Sequence, residues 1–459
     1  MTLEEIDREI VGDLYFSQTG RAFVEELVDR FGPRFHGSPQ EHAAAEFIRD
    51  RFAALGADTA VIESFKSPGW VRKDTRLAVT QPVERAVNCI ALPYCPAAEI
   101  EAPLVDVGPG DPKTYEEQHA AMRGAIVMAN TASPRGPALR MHRTEKLGRA
   151  LDAGAVGFIW MRASPGGLAE TGSARFGYFC EIPAIAVSYE DGYALQRLMK
   201  RGTVRLRIAS TNENRLVTSH NVIAECKGSG RPEEIVVIGA HYDGHDIGQG
   251  AMDNGAGTSV LMEAARVLRP YADRFKRTLR FVAFGGEEMG LHGSRHYVER
   301  HKADPMRFML NLDGSARSLT GTIYMPPAWP EALEFLSGVY DGPVVDEASL
   351  WMHSDHYSFT AYGVPAAILM SDQPAGQSAA AFRGFGHTAM DTLDKVSAQA
   401  IEMEAGRVAR LVLRLVTMDE IPIPRKTPAE VGAVLAGMGS DAVLRYEGRP
   451  VPGDGKPLA

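Results

Sequence analysis

Five short pieces of this chain carry side chains that can bind a cation or move a proton. They are His241-Tyr242-Asp243, then Asp253-Asn254-Gly255, the pair Glu287-Glu288, Asp313 in Asn-Leu-Asp-Gly, and His387 in Gly-His-Thr. Each follows an apolar run or sits in a glycine-rich loop, where a rigid strand end can aim a side chain. His241, Asp253, Glu288, Asp313 and His387 supply two imidazoles and three carboxylates, a donor set that suits a pair of zinc ions. The three carboxylates oppose four positive charges, and a bridging hydroxide brings the site to neutrality. Glu287 is then left over as a general base. Neighbours leaving a strand point to opposite sides, so one Glu of the pair can bind metal while the other faces the water. The order reads as a two-metal hydrolase.

Taken singly, each piece has an ordinary explanation. A lone His at a strand end is usually structural, Asp-Asn-Gly is a turn signal, and paired Glu residues are commonly solvated. Five such pieces in one order make coincidence a poor account. Asp243 lies two residues after His241, on the same side of an extended segment. It could accept the second ring N–H of His241 and fix its tautomer, as partners of zinc-bound histidines do, or it could be a solvated loop residue. His245 and Asp246 read as wall or surface. His292, His296 and His301 fall on a helical stretch and are expected to be exposed, with His353 and His356 as further decoys. Ser354-Asp355-His356 could line the site without a role the sequence defines.

The elements that must position these groups alternate between strand and helix. A strand over 220–225 precedes the near-continuous apolar run 235–240, which has the texture of a central parallel strand and ends at His241. A helix from about Gly257 carries Leu261, Ala264, Ala265 and Leu268 on one stripe. Strands follow over 279–284, 308–312 and 366–370, and a long helix over 398–418. This alternation predicts an α/β/α sandwich with a largely parallel mixed central sheet. Ligands gather beyond the carboxyl ends of such strands, where His241, Glu288 and Asp313 fall.

The segment His241–Leu261, HYDGHDIGQGAMDNGAGTSVL, resembles the metal-binding loop of the di-zinc exopeptidases related to plasma glutamate carboxypeptidase and to bacterial aminopeptidases. FGGEEMGLHGS, MLNLDGS, SDHYSFTAYGVPAAIL and GHTAMDTLDKV are similar to the family's other motifs and keep its order. The resemblance implies two zinc ions per chain, with His241 and Glu288 on one and Asp313 and His387 on the other. It makes Asp253 the bridging carboxylate and Glu287 the base. Relatives often have Asp after the bridging residue, where this chain has Asn254. That residue is not expected to bind metal.

Outside these motifs the chain divides into blocks. Helices are expected over 4–31 and 40–55, broken by the Gly- and Pro-rich joint 32–39. From 104 to 208 the texture changes to brief buried-strand candidates over 124–128, 153–160 and 182–187, with helices near 145–152 and 190–201. This block resembles an inserted protease-associated domain. Its core is expected to contain Ile126, Val127, Val156, Phe158, Ile159, Ile185 and Val187. The expected domains are therefore 1–103 and 209–418 for the catalytic part, 104–208 for the insert, and 419–459 for a tail without chemistry. Within the tail, 428–435 could form a short helix.

At 459 residues the chain exceeds the usual size of a single core. Its formal charge of -9 argues against a nucleic-acid partner. The first residues carry acids and lack an apolar run, and nowhere do eighteen apolar residues follow one another, so neither a signal peptide nor a membrane span is expected. Cys89, Cys95, Cys180 and Cys226 have no zinc-like or redox-like spacing and read as reduced thiols of a cytoplasmic protein. The expected activity is a zinc-dependent exopeptidase on short peptides, of aminopeptidase or dipeptidase type. A carboxypeptidase, an N-acyl amino acid hydrolase and a metal-free binding module stay open, as does a homo-oligomer.

Overall fold

A computed structural model describes residues 1–134, 141–346, 352–373 and 384–457. The chain forms two compact units. One comprises Met1–Phe65, Thr218–Met438 and Val451–Ala459, and the other Lys66–Val217 and Gly439–Pro450.

The first unit is built on a mixed sheet of eight strands. Across it run Thr59–Val71, Glu213–Cys226, Arg277–Phe284, Arg231–His241, Met306–Leu312, Ala366–Ser371, Gly321–Met325 and Val344–Asp346. Arg231–His241 pairs in parallel with both Arg277–Phe284 and Met306–Leu312, and the latter pairs in parallel with Ala366–Ser371. Glu213–Cys226 and Gly321–Met325 join antiparallel. Central strands are buried on both faces, which is why 235–240 is apolar without alternation. Ile223, Val237, Val282, Phe284, Tyr297, Met309 and Phe359 fill one of the cores. Helices Ala256–Leu268 and Ala398–Thr417 pack on each other. The expected α/β sandwich is therefore present.

The amino-terminal helix expected over 4–31 is two helices, Leu3–Phe16 and Thr19–Phe31. Ser17 leaves the helix in an extended conformation, its hydroxyl lies 2.7 Å from that of Thr19, and the Thr19 hydroxyl donates to Glu263 Oε1 at 2.6 Å. Such local bonds compete with the helix ladder. The expected 428–435 helix extends over Pro428–Gly437, capped by Thr427 and Glu430. No described helix is long and apolar enough to cross a membrane.

The second unit has its own eight-stranded sheet, ordered Arg85–Val87, Thr75–Gln81, Arg205–Ser210, Ala98–Asp106, Ile126–Asn130, Gly157–Met161, Ala184–Val187 and Ile90–Ala91. It is wider than the 104–208 block expected from sequence, because Leu77 and Val79 fill the same core as Ile126, Ile159, Ile185 and Val187. Val156 packs against that core, while Val127 and Phe158 are buried too and alternate with Ile126 and Ile159 along their strands. The tail also contributes. Helix Ser440–Glu447 packs on helix Arg143–Asp152, with the Arg149 guanidinium 4.1 Å from the Tyr446 ring centroid. The Thr144 hydroxyl donates to Glu447 Oε1 at 2.5 Å, and Tyr178 donates to the Glu447 carbonyl. The last two residues lie outside the described part.

Candidate metal centre

His241 ends the strand Arg231–His241, Glu287 and Glu288 follow Arg277–Phe284, and Asp313 follows Met306–Leu312. These three strands are neighbours and parallel, so their carboxyl ends open side by side. Asp253 comes from the loop before helix Ala256–Leu268, with a cis peptide to Asn254. His387 comes from a turn in which it holds φ 61°, a region uncommon outside glycine. Gly286 lets the Glu pair turn off its strand. Its φ is 71°, and a Cβ there would lie 2.4 Å from His36 Nδ1.

Two groups of donors result. His241, Asp253 and Asp313 form one, and His245, Glu288 and His387 the other, each with ligand atoms within 4.8 Å of one another. His241 Nε2 is 3.4 Å from Asp253 Oδ1 and 3.8 Å from Asp313 Oδ1. His387 Nε2 is 3.1 Å from Glu288 Oε2 and 3.5 Å from Asp253 Oδ2. The two oxygens of Asp253 thus face the two groups. The pairing differs from that implied by the resemblance, since His241 stands with Asp313 and Glu288 stands with His387.

Asp243 does more than its position after His241 suggested. Its carboxylate lies 3.5 Å from His241 Nδ1, while the nearer acceptor, at 3.2 Å, is its own main-chain carbonyl. Its two oxygens accept the backbone N–H groups of Glu287 at 3.1 Å and Glu288 at 3.3 Å. One buried carboxylate therefore ties the Glu pair to the His241 loop.

Charge is concentrated here. Burial holds the Glu287 carboxyl well above the usual range. Burial and Glu288 push Asp253 up, but His241, Arg317 and His387 outweigh them and bring it to about 2. Burial also raises Glu288, and His245 and His387 then pull it well below the ordinary value. Burial lowers His241, but Glu287, Asp243, Asp253 and Asp313 carry it well above. Carboxylates so crowded call for positive charge, which the imidazoles and Arg317 supply from the chain itself. The Glu288 Oε1 atom is buried without a hydrogen bond among the described residues, and the nitrogen and oxygen donors match those zinc takes. The donor set fits divalent cations.

Several contributors were not singled out in the sequence. His245, read there as wall or surface, joins the second group. Arg34, from the joint 32–39, is fully buried and donates to the carbonyls of Tyr242 at 2.6 Å, Gln249 at 2.9 Å and Gly250 at 2.8 Å. It clamps the His241 loop to the Asp253 loop, and burial brings its pKa down to about 10. Asp391 accepts from the Met252 and Asp253 N–H groups at 2.7 and 3.1 Å. Ser354 donates to Asp313 Oδ2 at 2.5 Å, which gives that serine a role. His292, expected exposed, is buried and stacks on His36 with centroids 5.1 Å apart, and His296 and His301 are partly buried. Their helix turns its histidines inward against residues brought from 36–65, a tertiary effect no local pattern reveals.

Residues 221–413 match the model of peptidase family M28, and residues 100–195 match that of the PA domain. Carboxypeptidase Q of Xenopus laevis is 27% identical over 375 residues, spanning 75% of this chain and 76% of that protein. Aminopeptidase YwaD of Bacillus subtilis (strain 168) is 28% identical over 422 residues, spanning 87% and 85%. The solved structure of a peptidase M28 precursor from Shewanella amazonensis SB2B aligns with a TM-score of 0.75 and 25% identity, covering 92% of this chain and 99% of that one.

Proposed function

With residues 221–413 a domain of peptidase family M28 and residues 100–195 a PA domain, we propose that this enzyme is a two-zinc exopeptidase that removes amino-terminal residues from short peptides, dipeptides included. The observation that carries the reading is Asp253, whose two oxygens face separate donor groups at 3.4 and 3.5 Å. Asp253 would be shared by the two ions, His241 and Asp313 would complete one position, and Glu288 and His387 would belong to the other. A zinc pair held there would acidify a water and polarise the scissile carbonyl. Glu287 takes the proton of that water and returns it to the leaving amine. Its burial lifts its proton affinity above the usual carboxylate range. Asp243 is a positioning residue, holding the Glu pair through two backbone N–H groups.

A panel of short peptides with each end free or blocked, followed by product analysis, tests this reading. Cleavage should require a free amine and release single amino-terminal residues. Zinc content below about one per chain after dialysis would instead favour a binding module on the same scaffold.

Arg317 favours a second reading. Its Nη2 stands 3.6 Å from Asp253 Oδ2, and its buried Nε has no hydrogen bond among the described residues. Cations sharing Asp253 would take that charge from Arg317, and its guanidinium could then pair with a substrate carboxylate. That chemistry suits a carboxypeptidase or an N-acyl amino acid hydrolase. In the same panel it requires cleavage of amine-blocked substrates and loss of activity when the carboxylate is amidated.

A further inference from the structure

The two donor groups are unequal, and one residue makes them so. His245 is 4% exposed, and its Nε2 stands 2.9 Å from Glu288 Oε2. The same oxygen is the one His387 Nε2 approaches at 3.1 Å. The two rings meet edge to face, with centroids 4.5 Å apart and planes at 73°. Two imidazole nitrogens thus converge on one carboxylate oxygen from different directions. Neither ring nitrogen of His245 makes a hydrogen bond among the described residues, and Glu288 Oε1 makes none either. A buried imidazole left without hydrogen bonds is costly unless something binds it.

We propose that His245 is a metal ligand, which gives one position four protein donors, from His245, Glu288, His387 and the shared Asp253. The proposal rests on the two-metal reading above. His241, Asp313 and Asp253 then give the other position only three. Four protein ligands close a tetrahedral zinc site, whereas three leave a place for water or substrate. The first position is also the richer in imidazole, which favours zinc, nickel and copper. The second is dominated by carboxylates and accommodates manganese as well. The consequence is a division of labour: a tight, closed position that anchors Asp253, and an open, exchangeable one where Glu287 meets the water.

The test uses the full chain, stripped with a chelator and titrated with zinc against a chromophoric competitor, with cobalt(II) absorption followed in parallel. The wild type should bind two ions with clearly different affinities. His245→Gln, which keeps a hydrogen-bonding side chain but removes the imidazole, should weaken the tighter site by more than a hundredfold. Loss of a mere orienting partner costs only about ten- to a hundredfold. The weaker site should be unchanged. His245→Cys, which restores a metal donor, should recover tight binding and add a thiolate-to-cobalt absorption band. If His245→Gln, shown to be folded by circular dichroism and thermal melting, binds two zinc ions as the wild type does, His245 is only a wall and the proposal is overturned. If the wild type itself binds fewer than two, the two-metal reading falls, and this inference falls with it.

Discussion

Glu287 and Asp253 carry the same functional group and are proposed to play different roles, and the matching amides separate them. Glu287→Gln removes a base and no ligand, so zinc content should stay at the wild-type level. Turnover should fall by roughly a hundredfold to ten-thousandfold, the usual span for general acid–base catalysis, as measured by steady-state kinetics on a metal-verified sample. Asp253→Asn should damage both positions at once, because two cations left without a shared carboxylate repel each other. His241→Ala or His387→Ala should mainly weaken one. Zinc titration of the three variants decides the matter, and a single-site pattern for Asp253→Asn would remove it from the bridge. The buried histidines outside the metal groups make a further prediction. Burial drops His356 from 6.5 to about 3, and burial with His36 beside it drops His292 well below 6.5. Their folded pKa values lie below the unfolded ones, so each contributes no penalty above pH 6.5 and destabilises progressively as pH falls from there toward its folded value. The slope is about 1.4 kcal/mol per pH unit for each histidine. Urea melts of chelator-treated protein between pH 7.5 and 4.5 should show this contribution before carboxylates of ordinary pKa begin to protonate, buried carboxyls with raised values such as Glu287 and Asp355 being the exceptions. The five proposed ligands and Glu287 were legible because each closes an apolar run or sits in a marked loop. His245 was not, since nothing local separates a buried imidazole from an exposed one. Arg34 reaches the site through carbonyls more than two hundred residues away.

Strands announced themselves at the element scale wherever they are buried on both faces. The run 235–240 is an uninterrupted apolar signal, and Arg231–His241 extends it to His241 at one end and, across an irregular stretch over 232–234, to Arg231 at the other. The helix break at Ser17 was hidden, because Ser and Thr are tolerated in helices and their local hydroxyl bonds appear only in three dimensions. The tail helix Ser440–Glu447 was hidden as well, since its partner lies some three hundred residues earlier. That pairing predicts an inverted substitution effect at Gly148. In an isolated helix Gly→Ala gains about 1 kcal/mol. Here a Cβ would lie 2.0 Å from the Tyr446 carbonyl oxygen, which belongs to backbone and cannot simply rotate away. Gly148→Ala should therefore lower stability by about 1–3 kcal/mol, as overpacking does. It should also open residues 438–450 to limited proteolysis, and undiminished protection there would show that the tail does not lean on this helix.

For the whole molecule, all six proposed ligands, His245 included, together with Glu287, Arg34 and Asp391, belong to the first unit. Removing 66–217 and 439–450 together, with short linkers, should leave zinc binding largely intact. Removing only 104–208 should fail, since it strips Thr75–Gln81 of its partner Arg205–Ser210 and leaves Leu77 and Val79 without a core. Zinc content and size-exclusion profiles of the two deletions distinguish these outcomes. The sequence texture marked where the second unit's central strands lie, but its edges depend on pairings between distant segments. Those edges include residues 439–450, and this bears on how the protein is made. By the time helix Arg143–Asp152 leaves the ribosome, the helix that covers it has not been translated. It arrives on the order of fifteen seconds to a minute later at ordinary elongation rates. Even once the strands up to Arg205–Ser210 have followed, the nascent second unit lacks the helix that packs on Arg143–Asp152. Loss of residues 440–447 would thus be felt in the middle of the second unit, at a helix made some three hundred residues earlier.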